Sequence, residues 1–109
     1  MPRKEEAIVV LVTCASVVEA RRIAESVVNK RLAACGNVCS SAVNSIYRWK
    51  GKVEKATEVL LILKSTRKVF AELEREVRRL HSYKIPEIIA LSVVAGSRSY
   101  LQWVQESVR

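Results

Sequence analysis

SIYRWKGKVEKATEVLLILK, residues 45–64, reads as one long β-hairpin. Ile46, Tyr47, Arg48 and Trp49 alternate as strand residues do, Lys50-Gly51 supplies a turn, and Val59 to Leu63 run apolar without a break. Successive strand side chains point to opposite faces, so Val59, Leu61 and Leu63 face one side while Leu60 and Ile62 face the other. Both faces of the second arm therefore need cover, and a single small chain cannot supply it on both sides.

The chain around this hairpin has 109 residues, of which 50% are apolar and 28% charged, with only three Gly and two Pro. That balance predicts one well-structured domain spanning 1–109, without a linker or low-complexity segment. The longest apolar runs, such as Ala7 to Val12, fall well short of the ~20 residues a membrane span needs. The start, MPRKEE, carries acids as well as bases, and no small-residue cleavage site follows a long apolar region, so the expected location is cytoplasmic. Cys14, Cys35 and Cys39 are odd in number, which argues against a disulfide framework. On one extended strand Cys35 and Cys39 would stand roughly 13 Å apart at ~3.3 Å per residue, too far to bridge. Free buried thiols are expected.

Nineteen basic against eleven acidic residues give a net charge of +8. Within Lys68 to Arg79 the signs interleave. Glu74 precedes Arg78 by four residues, and Glu72 and Glu76 each precede an Arg by three, which predicts an exposed helix face laced with ion pairs. No block of like charge with interleaved stacking aromatics appears, so nucleic acid is not an expected partner, and neither is a membrane.

In chain order, Ala7 to Thr13 is a first strand apolar on both faces. Ser16 and Glu19 form a capping box, and the helix that follows has Ala20, Ile23, Ala24, Val27 and Val28 as its inner stripe. It should end around Leu32 to Cys35, with Gly36-Asn37 as the stop. Val38 to Trp49 is the second strand, with a bend or bulge at Ser40-Ser41. Glu54 to Thr57 should be exposed, as on a projecting hairpin. Ser65 or Thr66 can cap a second helix with Phe70, Leu73, Val77 and Leu80 inside. Pro86 fits the first position of a last strand, Ile88 to Val94, which Gly96 closes. Ser97 or Ser99 can start a final helix carrying Tyr100, Leu101, Val104 and Val108.

The order β-α-β-β-α-β plus a terminal helix contains two β-α-β halves. It predicts an α+β, ferredoxin-like sandwich with helices on one face of an antiparallel sheet and a long β2-β3 hairpin. Each large apolar side chain left on the other face forgoes roughly 1.5–3 kcal/mol of burial. A row of them makes a patch that soluble monomers avoid, so a homo-oligomer is expected.

Residues able to carry chemistry are few. His81, the one histidine, sits at the junction of the second helix and the last strand. It reads either as a structural residue at a helix end or as a metal ligand or proton carrier, and copper, then zinc, would be the favoured metals. One His per chain does not build a closed site, so coordination would need Cys, carboxylates, solvent or a neighbouring subunit. No nucleophile-elbow context joins Cys14 or Ser82 to His81, and Gly36, Gly51 and Gly96 stand alone rather than in a phosphate loop. An enzyme is not expected.

Five blocks, RLAACGNV, SIYRWKGKVE, EVLLILKS, LHSYKIPEIIAL and YLQWV, together with VTC in the first strand, fall in the order and spacing of the CutA family of divalent cation tolerance proteins. The chain resembles that family over nearly its whole length. The resemblance implies a ferredoxin-like subunit assembled as a tight homotrimer, with long hairpins joining intersubunit sheets, similar to PII-like signalling proteins. It also implies a non-enzymatic role in tolerance or binding of copper or another divalent cation, with no obligatory cofactor and a protein partner still to be found. The metal position is His81. Where some relatives carry a second His and a first-strand Cys, this chain has Leu80 and Val12, and Ser82 and Lys84 replace a Pro and an acid of the usual block. Trp49, Lys64, Tyr83 and Glu87 match shared positions and would line a cleft between subunits, or equally seal an interface there. The alternative function is a PII-like sensor that holds a small anionic metabolite in that cleft through Lys64, with Trp49 and Tyr83 as walls.

Overall fold

The computed structural model describes residues 5–109; residues 1–4, most of the charged start read above, lie outside them. In chain order the elements are β1 (Ala7–Cys14), α1 (Val17–Asn29), β2 (Cys35–Trp49), β3 (Lys52–Thr66), a 3-10 turn (Arg67–Val69), α2 (Phe70–Leu80), β4 (Ile88–Ser92) and α3 (Arg98–Ser107). The four strands form one antiparallel sheet in the order β2-β3-β1-β4, the ferredoxin-like arrangement expected. The apolar alternation fixes the register. Val59, Leu61 and Leu63 are buried with Val10, Val12 and Cys14 on the face that α1 and α2 cover, and Leu60 and Ile62 lie on the other face.

That second face is covered within the chain only in part: α3 packs against β1 and β3, with the Tyr100 hydroxyl 3.7 Å from Cys35 Sγ, and Ala7 and Thr66 at that end are buried. Val9, Leu11, Ile89 and Leu91 share it with Leu60 and Ile62, and Ile89 and Leu91 remain about half exposed at 48% and 50%. The two cysteines of β2 lie there as well, because Cys35 pairs with Lys64 and Cys39 with Leu60.

Beyond the Cys14–Val59 pair β3 has only β2 for a neighbour, so the hairpin leaves the sheet as a two-stranded ribbon. The ribbon turns at Lys50 (φ 50°) and Gly51 (φ 80°), both left-handed, which suits the twist of a two-residue hairpin turn. The register breaks between Cys39 and Val43, at the bulge expected near Ser40-Ser41. Of the stretch expected to be exposed, Lys55 and Thr57 are, while Glu54 and Ala56 on the opposite face are half-buried.

Several boundaries differ from expectation, each for a local reason. Helix α1 stops at Asn29 rather than near Cys35, because Arg31 adopts φ 58° and the amides of Arg31 and Leu32 bond back to Val28 O and Val27 O. This is a Schellman termination with Arg in the place usually held by Gly. Gly36 is thus within β2, not a helix stop. Neither Ser65 nor Thr66 caps α2: the Ser65 hydroxyl donates to Leu32 O at 2.6 Å, and Thr66 precedes the 3-10 turn without a side-chain bond. Strand β4 ends at Ser92 instead of Val94 because its partner β1 begins at Ala7.

The charged helix face also differs. Glu74 and Arg78 pair at 3.1 Å as their spacing suggests, but Glu72 pairs with Arg109. Glu76 does pair with Arg79 three residues on, but it is buried between α2 and α1 and bonds to Ser26 and Lys30 as well.

Candidate cation site and adjoining groove

His81 follows α2 directly, and its amide bonds to Val77 O at 2.9 Å, which turns the ring inward against the end of β1. The imidazole is fully buried. Its Nε2 lies 2.8 Å from Thr13 O, an acceptor only, so Nε2 carries the proton. Nδ1 accepts from the Tyr83 amide at 3.0 Å, which fixes the neutral tautomer. Glu19 Oε1 approaches Nδ1 at 3.8 Å, and a donor atom from each of Cys14, Glu19 and His81 lies within 4.8 Å of the other two.

The three residues come from the end of β1, the first turn of α1 and the end of α2. Ser16 Oγ accepts from the Glu19 amide at 3.1 Å, as a capping box requires, but the Glu19 carboxylate reaches Ala15 N and Ser82 N instead of the cap's own amide. Burial opposes its charge; the bonds from Ser82 and Ala15, with His81 close by, prevail and hold its pKa below the ordinary value. Burial, followed by the Glu19 and Glu58 charges, pushes the Cys14 thiol up to about 12.

Next to this cluster a groove of about 670 Å³ opens where the ribbon leaves the sheet, lined in part by Thr13, Tyr47, Trp49, Glu58, Tyr83 and Glu87. Tyr47, Trp49, Ala56 and Glu58 share one face of the ribbon by alternation and register. The Tyr83 hydroxyl donates to Glu58 Oε2 at 2.9 Å, and burial together with that carboxylate raises the phenol's pKa.

Of the four cleft residues read from sequence, Trp49, Tyr83 and Glu87 come together here. Lys64 does not: it lies six residues along β3 from Glu58, opposite Cys35, and its ammonium donates to Asn37 Oδ1. The groove carries two carboxylates and no basic side chain, the reverse of what an anionic metabolite needs. Sequence reasoning missed Glu19 as a companion of His81 and set Cys14 aside for want of a motif joining the two. Strand parity put Cys14 on the helix-covered face, but nothing local showed that His81 returns to it.

The CutA1 divalent ion tolerance protein family model matches residues 8–107. The chain is 46% identical over 99 residues to the divalent-cation tolerance protein CutA of Thermus thermophilus, covering 91% of this chain and 95% of that one. It is 45% identical over 95 residues to human protein CutA, of which it spans about half (52%). Among solved structures, Cut A1 from Thermus thermophilus superposes with a TM-score of 0.92 at 44% identity, covering 94% of this chain and 99% of that one. The periplasmic divalent cation tolerance protein CutA from Archaeoglobus fulgidus superposes with a TM-score of 0.89 at 38% identity, over 94% and 99% of the two chains.

Proposed function

Since the chain belongs to the CutA1 divalent ion tolerance family, we propose that it is a non-enzymatic protein that takes up a divalent cation, copper before zinc, at His81, with Cys14 and Glu19 as the other protein ligands. The observation that carries this reading is the convergence of three unlike donors within 4.8 Å. Sulfur, imidazole and carboxylate together suit copper or zinc, whereas magnesium and calcium prefer oxygen alone. The bond from Nε2–H to the Thr13 carbonyl is the outer contact that orients a ligating imidazole, and it leaves Nδ1 as the ligand atom. A cation there must displace the Tyr83 amide and the Cys14 proton, so uptake is weak and local rearrangement accompanies it.

A thiol held protonated up to about 12 is not the nucleophile of a Cys-His pair, which supports a binding role over catalysis. The half-exposed Ile89 and Leu91 on the sheet and the exposed Ile46 and Val53 on the ribbon support self-association, and three copies are what the family resemblance implies. Three unpaired cysteines suit a reducing compartment such as the cytoplasm, and among the described residues no helix is long and apolar enough to cross a membrane.

Calorimetric titration of copper(II) and zinc(II) into wild type, His81→Ala and Glu19→Gln at neutral pH tests the assignment. Loss of His81 is expected to weaken binding by at least the roughly 10–100-fold that removal of an outer-shell partner costs. Equal binding by wild type and a folded His81→Ala chain removes His81 from the mechanism.

A further inference from the structure

Glu58 is not among the three donors that converge at the cation site. It is 8% exposed, and among the described residues no basic side chain pairs with it; its bond is the one from the Tyr83 hydroxyl. A carboxylate this buried without a cation is costly unless something compensates it. The chain has nineteen basic residues to eleven acidic ones, yet the groove over Glu58 contains Glu87 as a second acid and no Lys or Arg. Its lining is therefore acidic where the protein as a whole is basic, and Lys50 Nζ, 5.9 Å from the centroid of the Trp49 ring, already places an ammonium beside one aromatic wall.

The walls have matching chemistry. Tyr47, Trp49 and Tyr83 are aromatic, and Ile46, Ala56 and Ile85 add apolar surface. Aromatic faces attract cations through the ring quadrupole, most strongly where water is excluded. A bare divalent metal would need several converging ligands, and among the described residues the one such cluster is at Cys14, Glu19 and His81. A volume of about 670 Å³ also far exceeds what a single ion fills and falls in the range of small-molecule sites.

We propose that this groove binds a small organic ammonium ion, with Glu58 as the counter-charge at its floor and the aromatic side chains around the alkylated nitrogen. The site adjoins the one at His81 through Thr13 and Tyr83 but uses other charged groups, and its occupant is an amine or quaternary ammonium compound with an apolar body.

Calorimetry with choline, its uncharged carbon isostere 3,3-dimethylbutan-1-ol, and benzoate tests this on the full chain in its native assembly. Choline is expected to bind saturably, the isostere about tenfold or more weaker, and benzoate not at all. Glu58→Gln should remove the preference for choline over the isostere, and Glu87→Gln, at an exposed position, should weaken choline binding without unfolding the protein. Equal binding of choline and the isostere by wild type, or no saturable choline binding, overturns the proposal. If Glu58→Gln instead dissociates the assembly while wild type ignores choline, the counter-charge belongs to a second copy of the chain, and the proposal likewise fails.

Discussion

Glu76 forms the pair with Arg79 that its spacing suggests, but on a buried rather than an exposed face. Its carboxylate accepts from Arg79 at 3.0 and 2.7 Å, from Ser26 at 2.6 Å and from Lys30 at 3.0 Å. These bonds, Arg79's foremost and then Ser26's, outweigh burial and hold the carboxyl well below the usual range. A folded pKa below the unfolded value of about 4.3 gives stability that is present above that pH and lost as pH falls through the folded value. Glu76→Gln is expected to cost about 1–3 kcal/mol at pH 7. In urea denaturation at pH 7 and pH 3 the gap between variant and wild type should narrow at the lower pH; a gap that stays constant assigns the loss to packing. From sequence, Glu76 was one of several acids three or four residues before an Arg, because Ser26 and Lys30 approach from another helix. Residues 14, 19 and 81 escaped as a group for the same reason: each had a sufficient local role, as apolar thiol, capping acid or helix-end histidine. Arg31 escaped differently, since a left-handed helix end is legible when Gly or Asn marks it. Here its guanidinium is tied to Glu106 O and Ser107 O, which holds Arg31 against α3.

Elements were more legible than their ends. Periodicities of two and of three to four found four strands and three helices in order, because each element is amphipathic or buried on both faces over its length. Where an element stops depends on its partner, and β4 shows this by ending where β1 begins. Gly36 is the position at which the misplaced helix end has an energetic consequence. A Cβ there would lie 3.0 Å from both Ala24 Cβ and Leu63 Cδ2, so the missing side chain lets α1 sit close on the sheet. Gly36→Ala is therefore expected to lower stability by about 1–3 kcal/mol through overpacking, although alanine suits a strand no worse than glycine. Thermal or urea unfolding of Gly36→Ala, Ala24→Gly and the double variant checks the cause. The double variant should be more stable than the sum of the two single losses predicts, since removing the Ala24 methyl vacates part of the space. Strict additivity would place the strain elsewhere.

At the scale of the whole molecule, the face opposite α1 and α2 governs behaviour. Val9, Leu11, Leu60, Ile62, Ile89 and Leu91 occupy it; Ile89 and Leu91 are about half exposed and the other four already half-buried, so covering them recovers only part of the roughly 1.5–3 kcal/mol each is worth on full burial. What remains is on the order of 5 kcal/mol, at the low end of the roughly 4–15 kcal/mol that association costs in lost freedom, so the exposed Ile46, Tyr47, Trp49 and Val53 of the ribbon must contribute as well. Self-association is therefore expected, and the cysteines report on it independently. Cys35 and Cys39 lie on this face and Cys14 on the helix-covered one, so a lone folded chain offers two partly exposed thiols and one buried thiol. In the assembled protein all three are expected to react slowly with Ellman's reagent. Ile62→Asp places a charge in the centre of the contact; it should shift sedimentation toward the 12.3 kDa single chain and release two fast thiols, with the third remaining slow until denaturant is added. Wild type that sediments as a folded single chain with two fast thiols would show that this apolar face tolerates water, and the case for assembly would fall with it.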